Sequence, residues 1–254
     1  MMPDRIALRP RTLLAVGDLA LQFTRRNARW LAIPVACAAA PMVVVAWFTV
    51  GAGTETALMW LALALVGRVS SGLVTVACAE LALHPTLRLG PTIAAYLGQL
   101  PRWLWVQTVE WLSRVPTLGL AAIAFAFAPE VALLERGGVG QVLARGNRLA
   151  AAHPALRWAM PVLAIGVPLW WYVAAALGWR AVLDVLELGG GPTAGLFDTV
   201  TFAGVLGSIV GEMAWAVLRF LLYLDCRTRG DGWDLQVQCQ ALVMAHAEPG
   251  RRAA

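Results

Sequence analysis

RTLLAVGDLALQFTRRN (residues 11–27), WLAIPVACAAAPMVVVAWFTV (30–50) and ALMWLALALVGRVSSGLVTVACAELAL (57–83) follow one another near the start of the chain. An amphipathic stretch ending in Arg precedes two apolar runs, each able to cross roughly 30 Å of hydrocarbon at 1.5 Å per residue. The same order recurs twice. GPTIAAYLGQLP (90–101) and GVGQVLARGNRLAAAH (138–153) each introduce further apolar sequence, and a last amphipathic stretch covers 233–246. The rhythm identifies an integral membrane protein.

Composition agrees. Hydrophobic residues make up 59% of the 254 and charged residues 14%, against about 25% charged in an ordinary soluble domain, and the mean hydropathy is +0.68. All 20 basic residues are Arg, which with the wealth of Ala, Gly and Val suggests a GC-rich genome. They stand at the ends of apolar runs, where the positive-inside rule places them, and not on one face as a nucleic-acid surface requires. No nucleic-acid partner is expected. Cys37, Cys78, Cys226 and Cys239 form no CxxC pair and are read as free thiols. Asp18 and an Arg-rich turn make the N-terminal stretch an interfacial helix, not a cleaved signal.

Spans are expected at about 30–50, 57–83, 100–115, 116–134, 157–178 and 199–224, with interfacial helices at about 11–27, 90–101, 138–153 and 233–246 and a disordered tail at 247–254. The stretch 103–134 is long for one span and short for two. A break near Val115 and Pro116 makes it a hairpin, returning Arg25, Arg26, Arg29, Arg88, Arg136, Arg145, Arg148, Arg227 and Arg229 to one face. A tilted or half-inserted element is the other form open to it. The expected fold is an all-α transmembrane bundle of six spans, arranged as three hairpins each preceded by an interfacial helix. Both termini are then cytoplasmic, in a bacterial inner membrane.

Within the apolar runs, Arg68, Glu110, Arg114 and Glu212 are the polar candidates. A charge at the bilayer centre costs about 2.5–3.5 kcal/mol even on the lenient insertion scale, so Arg68 requires a partner, with Glu212 or Glu110 the nearest in depth. Glu110 and Arg114 are four apart and share a helix face. Gly204, Gly207 and Gly211 line one side of the last span, and Gly67 and Gly72 flank Arg68, so backbones can approach closely there. These charges make either a register-fixing ion pair or a polar pathway. His84, His153 and His246 are isolated, and Ser70 and Ser71 have no neighbouring His, so no catalytic residue, metal site or cofactor is expected.

Residues 223–235, YLDCRTRGDGWDL, resemble the terminal signature of the bacterial glycerophosphoryl diester phosphodiesterase membrane-domain family and its six-span relatives of unknown function. There the last span exits through an aromatic, Asp, Arg-x-Arg, an acid-Gly, an aromatic and Asp-Leu. Tyr223, Asp225, Arg227, Arg229, Asp231, Gly232, Trp233, Asp234 and Leu235 occupy that pattern, with Cys226 in place of an aliphatic residue and Gly230 in place of a basic one. The central run PEVALLERGGVGQVLARGNRLAAAHPALR (129–157) is similar to the family's segment before its fifth span. The resemblance implies six crossings and cytoplasmic termini. It implies no hydrolase activity, because in the phosphodiesterases a separate barrel carries the chemistry.

Physically, Arg227 and Arg229 fall where lipid phosphates lie, with Asp225 orienting one of them and Gly230 and Gly232 turning the chain into the last interfacial helix. The expected protein is a non-enzymatic membrane component acting through lipid contact or as a scaffold of a membrane assembly. A small-solute or lipid transporter using Arg68, Glu110 and Glu212 is the alternative. A water-accessible cavity reaching Arg68 would favour transport, and a dry bundle with a crowded cytoplasmic collar would favour scaffolding. Membrane lipids, anionic ones foremost, are the expected partners, beside a membrane or cytoplasmic protein and a second copy of the chain.

Overall fold

The computed structural model describes residues 12–51, 56–114, 116–117, 120–135, 137–186 and 201–231, and every regular element among them is a helix. Four are long and apolar enough to cross a membrane: α1 (Leu13–Gly51), α2 (Thr56–Leu83), α7 (Pro154–Val185) and α8 (Phe202–Asp231). Between them lie α3 (Leu89–Arg114), α4 (Ala121–Ala124), α5 (Ala128–Leu134) and α6 (Val139–Ala152). The chain is all-α, with the helices of a membrane protein.

The most buried of the long helices, α8, is the hub. It packs most extensively on α7, then on α1 and α2, and its C-terminal half meets α6. The glycines of α8 explain the α7 contact. A Cβ on Gly207 would stand 2.4 Å from the Trp171 carbonyl oxygen and one on Gly211 2.7 Å from the Pro168 Cα, so only glycine lets these backbones touch. The partner of the glycine stripe is therefore α7. Gly72 instead faces Tyr96 of α3, whose hydroxyl donates to the Val69 carbonyl.

Separate interfacial helices were expected at 11–27 and 90–101, and the structure joins both to the apolar sequence that follows. In α1 the buried positions Val16, Ala20, Phe23, Leu31, Ala38, Met42 and Ala46 continue one stripe through the Arg-rich turn, which contains no helix breaker. In α3 the buried stripe Thr92, Tyr96, Trp103, Val106, Gln107 and Glu110 passes Pro101, which lies on the opposite, exposed face. Only α6 stands as a separate amphipathic helix near its expected bounds of 138–153. The Gly138 N–H donates to Gln141 Oε1 at its start, and His153 leaves the helical conformation ahead of Pro154 at its end.

The span expected over 116–134 is not one helix. The chain bends at Phe125–Phe127 between α4 and the seven-residue α5, and α5 is buried over 128–133. Backbone broken in this way is tolerated in a membrane where protein surrounds it. The last carbonyls of α5 find donors in Arg102 of α3, whose guanidinium reaches the oxygens of Ala132, Glu135 and Gly137. α7 runs past the expected end at 178 to Val185. The helix expected at 233–246 and the tail at 247–254 lie outside the described residues.

Candidate functional site

The deep charges of the bundle form a group. Glu130 on α5 and Arg219 on α8 are an ion pair with side chains 0% and 3% exposed, and Glu110 pairs with Arg114 one turn along α3. Arg68, Glu110 and Glu212 lie within electrostatic reach of Arg219. Three guanidiniums, those of Arg68, Arg114 and Arg219, thus stand with three carboxylates, those of Glu110, Glu130 and Glu212, and their formal charges cancel.

The pairing differs from the expected one. Arg68 forms no ion pair with Glu212 or Glu110, and no described residue forms one with Arg68 or Glu212. Glu110 is taken locally by Arg114, and Arg219 by Glu130, so neither is left to pair with Arg68 or Glu212. Arg68 and Glu212 are nonetheless neighbours. A Cβ on Gly67 would stand 3.4 Å from Glu212 Cγ, which places the Glu212 stem against the residue that precedes Arg68.

Both face a cavity. Between α2 and α7, floored by α8, lies a space of about 520 Å³ lined by Arg68, Arg114, Glu212, Trp111, Trp158 and Pro161 among others. A second space of about 340 Å³ adjoins it towards the start of α2, lined by Met42, Trp60, Leu63, Leu169, Tyr172 and Ser208. Ala64, Ala164, Ile165 and Glu212 line both, so the two are halves of one groove with Glu212 at their junction. One half is apolar apart from Ser208, Tyr172 and the shared Glu212, and the other carries two guanidiniums. Arg114 and Leu120, on either side of the α3–α4 turn, line only the charged half.

The seam between α8 and the α5–α6 corner is built differently. Tyr223, 1% exposed, donates its hydroxyl to Glu135 Oε1 at 2.6 Å, and Arg227 donates to the Tyr223 oxygen at 3.3 Å. Arg145 of α6 pairs with the other Glu135 oxygen. Arg219, Tyr223 and Arg227 are spaced four apart, one stripe of α8 reading onto α5 and the start of α6. A Cβ on Gly146 would stand 2.8 Å from the Ala128 nitrogen, so α6 lies directly on the start of α5. The two sequence segments that carry the family resemblance therefore pack against each other.

Of the signature residues, Asp225 pairs with Arg229 at 2.8 Å and Arg227 reaches Tyr223. Helix α8 continues to Asp231, so no turn occurs at Gly230. Gly232, Trp233, Asp234 and Leu235 lie outside the described residues. A third space, about 370 Å³, joins the start of α1, the α6–α7 corner and the end of α8, bringing Leu13, Pro154 and Arg229 to one end of the bundle. Cys37, Cys78 and Cys226 are free thiols, and no metal-binding group of His, Cys, Asp or Glu occurs among the described residues.

Sequence reasoning missed Glu130, Arg219, Glu135 and Arg102. Arg219 had a signal, being a charge inside an apolar run like Arg68. Glu130 and Glu135 sit beside the ends of α5, and Arg102 fell at the expected joint between 90–101 and 100–115, where a charge is ordinary. Comparison with family models, with curated proteins and with solved structures finds no match to the chain.

Proposed function

We propose that this chain is a non-enzymatic membrane protein that takes a membrane lipid into the α2–α7 groove and handles it there. The observation that carries the proposal is the groove itself, apolar in one half and lined by Arg68, Arg114 and Glu212 in the other. Apolar length beside a charged end is the shape of an amphiphile, and a cavity reaching Arg68 is the feature that favours transport over scaffolding. Arg114 adds a planar donor fork suited to phosphate or carboxylate. The resemblance to the phosphodiesterase membrane-domain family is part of the same proposal, as a lipid-facing module without the hydrolase.

The topology we propose has α1, α2, α7 and α8 as crossings, with α3–α5 entering from the Arg-rich face and turning back at the level of Arg68. Arg114 and Leu120 flank that turn and line only the charged half of the groove, which supports a re-entrant element over two full spans. Both termini then lie on the Arg-rich side, the cytoplasmic face of a bacterial inner membrane. Thr117→Cys, on a background without native thiols, should resist labelling from the outer face. Ready labelling there would restore six crossings.

The lipid reading is tested by filling the groove. Ala64→Trp obstructs both halves without altering a charge, and it should remove the lipid that survives detergent washing, read by lipid mass spectrometry. Leu14→Trp, at an 87% exposed position, should not. Equal retention in the wild type, Ala64→Trp and Leu14→Trp would overturn the proposal.

A further inference from the structure

Resting on the lipid reading above, we infer that the groove selects a zwitterionic phospholipid with a primary ammonium, its phosphate on Arg68 and Arg114 and its ammonium on Glu212. Two opposite charges that line one cavity would ordinarily close on each other, since each pays a desolvation penalty alone. Here Arg68 and Glu212 are neighbours yet form no ion pair with each other or with any described residue. A ligand carrying both signs close together satisfies both.

The chemistry at each end narrows the class. Guanidinium groups bind phosphate oxygens through paired N–H donors, and two line this cavity: Arg68, which has no ion pair, and Arg114, which gives one Nη to Glu110 and would share its remaining N–H groups with the phosphate. A carboxylate accepts hydrogen bonds, so a primary ammonium with three N–H donors suits Glu212, whereas a quaternary ammonium offers none. A purely anionic headgroup would place further negative charge or neutral hydroxyls beside Glu212. The adjoining half of the groove, from Leu63 to Tyr172, is where an acyl chain fits. Because Arg68 lies midway along α2 and Glu212 about a third of the way along α8, on two helices long enough to cross a membrane, the headgroup held there would sit inside the hydrocarbon layer. A lipid in that position is part-way across the membrane, so the groove serves translocation between leaflets.

The test uses the full chain in nanodiscs, read by native mass spectrometry against phosphatidylethanolamine, phosphatidylcholine and phosphatidylglycerol at equal concentration. The wild type should retain phosphatidylethanolamine about tenfold over the other two, the ratio of one good charge-assisted contact. Glu212→Gln should abolish that preference while total lipid retention persists, and Arg68→Gln should lower retention of every phospholipid. Soluble glycerophosphoethanolamine should not compete. Wild-type preference for phosphatidylglycerol, or an unchanged preference in Glu212→Gln, would overturn the zwitterion assignment while leaving the lipid reading intact. Full competition by the soluble headgroup would overturn the lipid as occupant. No retention above the Ala64→Trp level would remove the lipid reading itself. The wild-type selectivity needs no variant, so a poorly folding Glu212→Gln leaves the assignment testable.

Discussion

The α8–α5–α6 seam and the α2–α7 groove are built from the same residue types, Arg and Glu on packed helices, and they end in opposite states. In the seam every charge is answered within the protein: Glu130 by Arg219, and Glu135 by Tyr223 and Arg145. In the groove Arg68 and Glu212 face a cavity and remain apart. The difference comes from what packs behind each charge. α5 is a short helix held by α3, α6 and α2, and it presents Glu130, with Glu135 just past its end, to the Arg219–Tyr223–Arg227 stripe. α2 and α7 both lean on α8 but scarcely touch each other, and the space between them is where the unmatched charges point. A buried pair closed in this way holds helices in register, and a pair held open is free to meet something else.

The comparison is broken most forcefully at Glu130. Glu130→Ala leaves Arg219 buried and uncompensated, and it should cost about 3–5 kcal/mol, seen as a large fall in melting temperature in detergent. The double replacement Glu130→Leu with Arg219→Met should regain most of that loss, because a well-packed apolar pair is often as stable as a buried ion pair. A single variant as stable as the wild type would show that the seam is not a clasp. Next in size is Gly207→Leu, whose side chain would drive into the Trp171 backbone and Ala175. Overpacking of this kind costs roughly 3 kcal/mol, read by the same melt.

Tyr223→Phe removes one donor to a carboxylate and should cost about 2 kcal/mol. Tyr223→Phe should also be non-additive with Glu135→Gln in a double-mutant cycle, and simple additivity would separate the two residues. The smallest expected effect on stability sharpens the contrast. Arg68→Gln should change the melt by less than about 1 kcal/mol or raise it, since the replaced charge has no partner to strand. A loss comparable to that of Glu130→Ala would mean that Arg68 is structural after all.

Legibility in the sequence followed the range of the interactions. The four long apolar helices and the Arg-rich ends were readable because length and charge position are local properties. The Glu110–Arg114 pair was readable because residues four apart on a helix must meet. α6 was readable because glycines precede it and a proline follows its last residue. The fusion of the amphipathic stretches into α1 and α3 was not, since an interfacial helix and a span are both helical and nothing between them breaks the backbone. Whether Arg25 or Pro101 marks a joint depends on whether the buried stripe stays in phase across it, and that is fixed by neighbouring helices. The Arg219–Glu130 pair was hidden for the same reason. Its two members come from segments far apart in the chain, and only the bend at Phe125–Phe127 turns Glu130 towards α8.

The deep charges have one further consequence, in electrical terms. In the proposed topology, Arg68, Arg114 and Arg219 against Glu110, Glu130 and Glu212 make a site of zero formal charge within the membrane. Moving one elementary charge across a potential of 100 mV involves about 2.3 kcal/mol, but a neutral site rearranging around a neutral zwitterion moves none. If the groove takes up a lipid as proposed, a cell could let its membrane potential rise or collapse without altering how readily it loads or empties.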